Sequence, residues 1–154
     1  QFTKNTRLQF IGESTLRADG KVAALLGCAV GEMWLRFQLL RTLPRLREPL
    51  GAVYVWVRPE FAAIAGDVRR APHTIISLLE RNFGVRLGEL QQDISAALMS
   101  ADLARLLRVR PRTPALRILR HYYDRDGEIL QVSLGYYPDG RFSYNTRMRV
   151  HHQG

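Results

Sequence analysis

The chain is poor in cysteine, in lysine and in long apolar runs. Cys28 is the only cysteine among 154 residues, which excludes an intrachain disulfide and a thiolate metal cage. It follows Gly27 in a spacer and reads as a small packing side chain rather than a nucleophile. No apolar stretch approaches the roughly 20 residues of a membrane span, and no cationic–apolar start marks a signal peptide. A cytoplasmic chain is expected. Phosphate loops of the G-x-x-x-x-G-K type are missing, as are G-x-G-x-x-G, H-E-x-x-H and G-x-S-x-G. The histidines are His73, His121, His151 and His152, and only the terminal pair has ligand-like spacing. Asp124 and Asp126 flank a turn and read as turn formers rather than a catalytic dyad. No metal, no cofactor and no enzymatic activity are therefore expected.

What is abundant is arginine. Lys+Arg is 23 against 14 for Asp+Glu, a net charge of +9, and Lys4 and Lys21 are the only lysines. Such charge attracts anionic partners. The arginines are dispersed and not interleaved with aromatics, which argues against a nucleic-acid platform and for a solvated surface with a few ligand-facing guanidiniums.

A second positive feature is repetition. Residues 21–57 and 102–137 follow one plan: a short helix, a spacer, a strand, a turn and a strand. Without a gap, Val22-Ala23 falls on Leu103-Ala104, Leu25-Leu26 on Leu106-Leu107, and Leu35-Arg36 on Leu116-Arg117. The pattern predicts two related helix–strand–strand modules in one domain, with a pseudo-twofold sheet and a cleft at their seam. Around them, strands are expected at 6–17, with Gly12 at a bulge, at 33–43, 49–57, 85–99, 115–124 and 128–137, and last at 141–150. Asp19 and Ser100 cap the repeat helices, Gly27 stops the first, and Arg58-Pro59-Glu60 opens a helical turn. Residues 66–72 read as a loop, and Thr74 as the N-cap of a helix carrying Ile75, Leu78, Leu79 and Phe83. The sum is α+β: an antiparallel sheet of six or seven strands with short helices, internally duplicated, in one domain over 6–150. Residues 1–5 and 151–154 are expected to be flexible ends.

Strand alternation then sorts the polar residues by face. One row carries Leu35, Phe37, Leu39 and Arg41; its repeat mate carries Leu116, Ile118, Arg120 and Tyr122. An arginine ending an apolar row either snorkels to water or is held inside by an anionic partner. Both repeats bring a guanidinium towards the far end of the same face, where two could clamp a carboxylate or phosphate. Gln92 interrupts Leu90, Ile94, Ala96 and Leu98 and needs partners in backbone or ligand. The row Ile129, Gln131, Ser133, Gly135, Tyr137 is half polar, so Leu130, Val132, Leu134 and Tyr136 make the better core row. Gln131, Ser133 and Tyr137 then face water or a pocket.

Several stretches together resemble a known family. They are Leu25-Leu-Gly-x-x-x-Gly-Glu32, the strand ending at Arg41 followed by Pro49-Leu50, Thr74-Ile-Ile-Ser-Leu-Leu-Glu-Arg-Asn-Phe-Gly84 and Gln92-Asp-Ile94-Ser-Ala96. Leu116-Arg-Ile-Leu-Arg-x-Tyr-Tyr-Asp-Arg-Asp-Gly127, Gln131-Val-Ser133, Tyr136-Tyr137 and Arg141-Phe142 complete the set. Residues 6–150 resemble the effector-binding UTRA domain of GntR-type bacterial transcription regulators of the HutC subfamily. The resemblance implies a chorismate-lyase-like fold that binds a small-molecule effector, within a homodimer that grips operator DNA through an N-terminal winged helix. This chain starts at its first strand, so the regulator is expected to be larger than these residues. The alternative kept open is a chorismate-lyase-like enzyme acting on a small aromatic or enolpyruvyl acid.

Family members that bind sugar phosphates carry Arg-x-Arg on the second strand, where this chain has Leu39-Leu-Arg41. Their glutamate near Val53 is absent, their serine and tyrosine of the middle helix fall on Thr74 and Ile76, and a later glutamate falls on Gln131. Their nearby tyrosine survives as Tyr137. The resemblance thus implies a smaller anionic, or mixed apolar–anionic, ligand held by Arg41 with Thr74, Gln131 and Tyr137. Gln92, Arg120 and Ser133 are further candidates.

Overall fold

A computed structural model describes residues 6–70 and 74–152. Its strands are β1 (Arg7–Arg17), β2 (Met33–Thr42), β3 (Gly51–Val57), β4 (Leu87–Leu98), β5 (Pro114–Asp124) and β6 (Ile129–Pro138). They form one sheet of order β1-β2-β3-β6-β5-β4, antiparallel at each pairing. The helices are α1 (Gly20–Leu26), α2 (Ala65–Arg70), α3 (Ile75–Phe83) and α4 (Ala101–Leu107), with a 3-10 turn at Pro59–Ile64.

The duplication is visible bond by bond. Asp19 caps α1 by accepting from the Val22 amide, and Ser100 caps α4 by accepting from the Leu103 amide. Gly27 ends α1 and Arg108 ends α4, both in the left-handed region. The link after each helix is stitched alike, by Ala18 N to Glu32 O at 2.8 Å and Met99 N to Thr113 O at 2.9 Å. Tyr54 of β3 pairs with Leu134 of β6 at the centre of the seam. The pseudo-twofold relates β1-α1-β2-β3 to β4-α4-β5-β6 about that centre.

Alternation sends successive side chains to opposite faces. One face carries Trp34, Trp56 and Val132 under α1, and Leu40, Ala52 and Ala115 under α4. The other carries Phe37, Val53, Val55 and Ile118 under the 3-10 turn, α2 and α3, with Phe61, Ile64, Val68, Leu78 and Leu79 packed down. The central strands are thus buried on both sides. On β6 Gln131, Gly135 and Tyr137 are buried as deeply as Val132 and Leu134. Past a register shift Leu130 packs into the core of the α3 face instead of with Val132 and Leu134, so the preference for the Leu130–Tyr136 row as the core row does not survive.

Two expected elements differ. Residues 65–70, read mostly as loop, form α2. Val68 is buried in the core there, and Asp67 accepts from Arg70 at 2.8 Å; burial outweighs the roughly 1 kcal/mol that Gly66 costs a helix. Residues 71–72 of that loop, His73, and residues 1–5, 153 and 154 of the ends lie outside the described residues. The expected last strand at 141–150 carries no ladder. A strand needs a neighbour's backbone, and this segment makes no ladder with β1 or β4, the two edge strands. Its side chains anchor it instead. Arg141 donates to Pro49 O at 2.9 Å and Arg108 O at 3.1 Å, and Phe142 stacks on Tyr137 with ring centroids 4.6 Å apart. The sheet therefore has six strands among the described residues.

Candidate functional site

The α3 face of the sheet does not close completely. Between β2, β3, β6, β5 and the start of α3 lies a cavity of about 580 Å³. Six of the seven residues singled out from the sequence line it: Arg41, Thr74, Arg120, Gln131, Ser133 and Tyr137. Its floor is apolar, with Leu39, Val53, Val55 and Ile118, and no carboxylate, imidazole or thiol is part of its described lining.

Arg41 stands near the end of β2, opposite Leu8 on β1 and Gly51 on β3. Its Nη1 donates to Thr6 Oγ1 at 2.9 Å, and its guanidinium also bonds the Tyr137 side chain. Of the two fates open to an arginine ending an apolar row, it takes the inward one. Tyr137 is 2% exposed. Its ring lies flat on the sheet, across Gly51 and Gly135, where a Cβ would collide with it. Burial pushes its phenol pKa up, and the positive charge of Arg41 opposes that rise.

The second guanidinium is built by the other repeat. Arg120 is 7% exposed and donates from Nε to Gln92 Oε1 at 2.6 Å. Gln92 Nε2 donates in turn to the Tyr144 hydroxyl at 3.2 Å. Gln92 is not among the described residues that line the cavity, and its amide oxygen holds Arg120, which does line it. Beside Arg120 in the ladder stands Ser133, and Gln131 stands beside Tyr122. Gln131 is 4% exposed, and its Oε1 is buried without a hydrogen-bond partner.

Thr74 occupies the N-cap of α3, but its hydroxyl makes no cap bond. It lies 2.6 Å from Ser77 Oγ instead, so two hydroxyls face the cavity where one was expected. Ser77, Tyr122 and Thr6 were missed as lining residues. The first two had a legible signal: Ser77 stands one helical turn after Thr74, and Tyr122 closes the same row as Arg120. Thr6 had none, since its place follows from the pairing of β1 with β2. His121 is structural as expected, with Nε2 2.9 Å from the Leu25 carbonyl at the end of α1. Asp124 accepts from the amides of Asp126 and Glu128, as a turn former does.

Among the described residues no helix is long and apolar enough to cross a membrane, and no three His, Cys, Asp or Glu side chains group as metal ligands would.

Comparison with known proteins places this geometry. The UTRA domain family model matches residues 3–143. The effector domain of PhnF from Mycobacterium smegmatis superposes with a TM-score of 0.80 at 21% identity, over 95% of this chain and 88% of that one. In a longer PhnF structure from the same organism the chain spans only 64% of the matched length, with a TM-score of 0.79 at 21% identity over 95% of this chain. A GntR-family transcriptional regulator from Bacillus cereus superposes with a TM-score of 0.78 at 17% identity, over 95% of this chain and all (100%) of that one. The comparison with curated proteins gives no match. With the family model covering nearly the whole sheet and the cavity at its seam, the chain belongs to the UTRA domain family.

Proposed function

We propose that this chain is the ligand-sensing domain of a GntR-type transcription regulator of the HutC subfamily. In this reading it binds a small anionic, or mixed apolar–anionic, metabolite and acts within a cytoplasmic homodimer whose operator contacts come from a winged-helix domain. The single observation that carries the reading is the seam cavity. It holds two guanidiniums, Arg41 and Arg120, beside apolar side chains, and among the described residues no carboxylate lines it. An anion entering it replaces water around charges that the fold has already oriented.

The ligand acts by differential affinity: it favours whichever dimer geometry presents the cavity in its bound shape, and the operator complex follows that population. The enzyme alternative finds less support. Among the described residues, hydroxyls, an amide, guanidiniums and the phenols of Tyr122 and Tyr137 line the cavity, and no carboxylate, imidazole or thiol is among them.

The test is a thermal-shift screen of small organic acids with Arg41→Ala as control, since a ligand that binds the folded state raises the melting temperature. At least one acid is expected to raise it in the wild type and not in the variant. Isothermal titration with hexosamine phosphates is expected to show no tight binding. Tight binding there would overturn the proposed ligand class, and a screen with no hit would overturn the sensor reading.

A further inference from the structure

The two guanidiniums do not stand together. Arg41 is on β2 and Arg120 on β5, with β3 and β6 between them. At about 4.8 Å per strand, their Cα atoms are about 14 Å apart across the sheet alone. They also lie in different rows of the ladder. Arg41 shares its row with Gly51, and Arg120 shares its own with Ser133 and Val55. Both line one cavity, whose lining also includes Val53, Val55, Ile118 and the Tyr137 ring that covers Gly135.

Each guanidinium is held on its own side. Thr6 and Tyr137 fix Arg41; Gln92, backed by Tyr144, fixes Arg120. A single small anion, such as one phosphate, engages one guanidinium only. A ligand charged at both ends and apolar in the middle matches the whole cavity.

We infer that the cavity takes a short dicarboxylic acid, with one carboxylate on Arg41, the other on Arg120, and the carbon chain over Val53, Val55 and Ile118. The inference rests on the sensor reading above and adds to it the number and placement of the charges. The ligand then bridges the two halves of the duplicated domain, one carboxylate to each repeat.

The experiment is isothermal titration of the full chain with two matched series: linear dicarboxylates from four to eight carbons, and monocarboxylates of the same lengths. Inorganic phosphate is the third arm. One dicarboxylate length is expected to bind at least tenfold tighter than its monocarboxylate partner. In Arg120→Gln that preference is expected to vanish while monocarboxylate binding stays; Arg120→Lys, which keeps the charge, restores part of it. Melting curves without ligand confirm that both variants are folded. Monocarboxylates that bind as well as dicarboxylates at every length overturn the inference and leave the sensor reading standing. Phosphate binding tighter than every dicarboxylate also overturns it, because both charges then sit at one guanidinium. If no acid and no phosphate binds, both the inference and the sensor reading fall.

Discussion

The ring of Tyr137 lies over Gly135, with its Cε2 2.8 Å from the point where a Cβ on that glycine would stand and its hydroxyl oxygen 3.1 Å from it. The absence of a side chain at one position of β6 thus creates the bed for a side chain two positions later. It lays the phenol along the cavity floor, within reach of Arg41.

Gly135→Ala is therefore expected to push the ring off the sheet, and to cost about 1–3 kcal/mol of stability as an overpacked core does. Urea denaturation measures it. Gly12→Ala is the contrast: a Cβ there meets nothing within 4 Å, and a change within about 0.5 kcal/mol is expected. Equal costs at the two positions would contradict the flat-ring arrangement.

The repeats differ where they turn. Gly27 and Gly31 have φ of 72° and 94°, and their repeat mates Arg108 and Arg112 have φ of 59° and 68°. A side chain in the left-handed region costs roughly 1–2 kcal/mol. Gly27→Ala is expected to lower stability by about 1 kcal/mol, whereas Arg108→Gly is expected to raise it slightly or leave it unchanged, since relief of strain is offset by the entropy of glycine in the unfolded chain. Denaturant midpoints of the two variants check this, and opposite signs would refute it.

Tyr137 also sets an alkaline limit. Burial raises its pKa above the ordinary phenol value in the folded state, with Arg41 moderating the shift. The folded form then holds its proton more tightly than the unfolded form. The contribution is fully present below the unfolded value of about 10 and is lost as pH rises through the folded value. Stability measured across that range is expected to fall less steeply in Tyr137→Phe than in the wild type.

Gln131 carries a cost at the site. Its buried Oε1 lacks a partner, and an unmet buried acceptor costs about 1–3 kcal/mol. Gln131→Met is expected to raise the urea midpoint by an amount worth about 1 kcal/mol, and to weaken binding of any acid that stabilises the wild type. A variant that is more stable and binds equally well would assign Gln131 no part in recognition.

Much of this architecture is written locally. The caps at Asp19 and Ser100, the stops at Gly27 and Gly84, the Asp124–Gly127 turn and the in-phase apolar rows of β2 and β5 are short-range features. Period-two alternation placed Arg41 and Arg120 on one face before any pairing was known. The repeat fixed the seam, because two copies of one hairpin can share a sheet edge to edge. The last segment shows where such reading fails. Phe142, Tyr144, Thr146, Met148 and Val150 alternate as a strand would, yet alternation describes only which side chains share a face. A ladder needs backbone pairing as well, and this segment pairs with neither edge strand, β1 or β4.

The sequence by itself determined the six strands of the sheet, the helices α1, α3 and α4, the duplication and which residues share the polar row of the cavity face. Only the tertiary structure decided that Gln92 bonds Arg120, that Tyr137 lies flat on two glycines, and that two guanidiniums stand apart in one cavity. The reason is physical. Periodicity and capping act over a few residues, whereas the spacing of charges across a sheet depends on strand order, and strand order is set by which faces can be buried together.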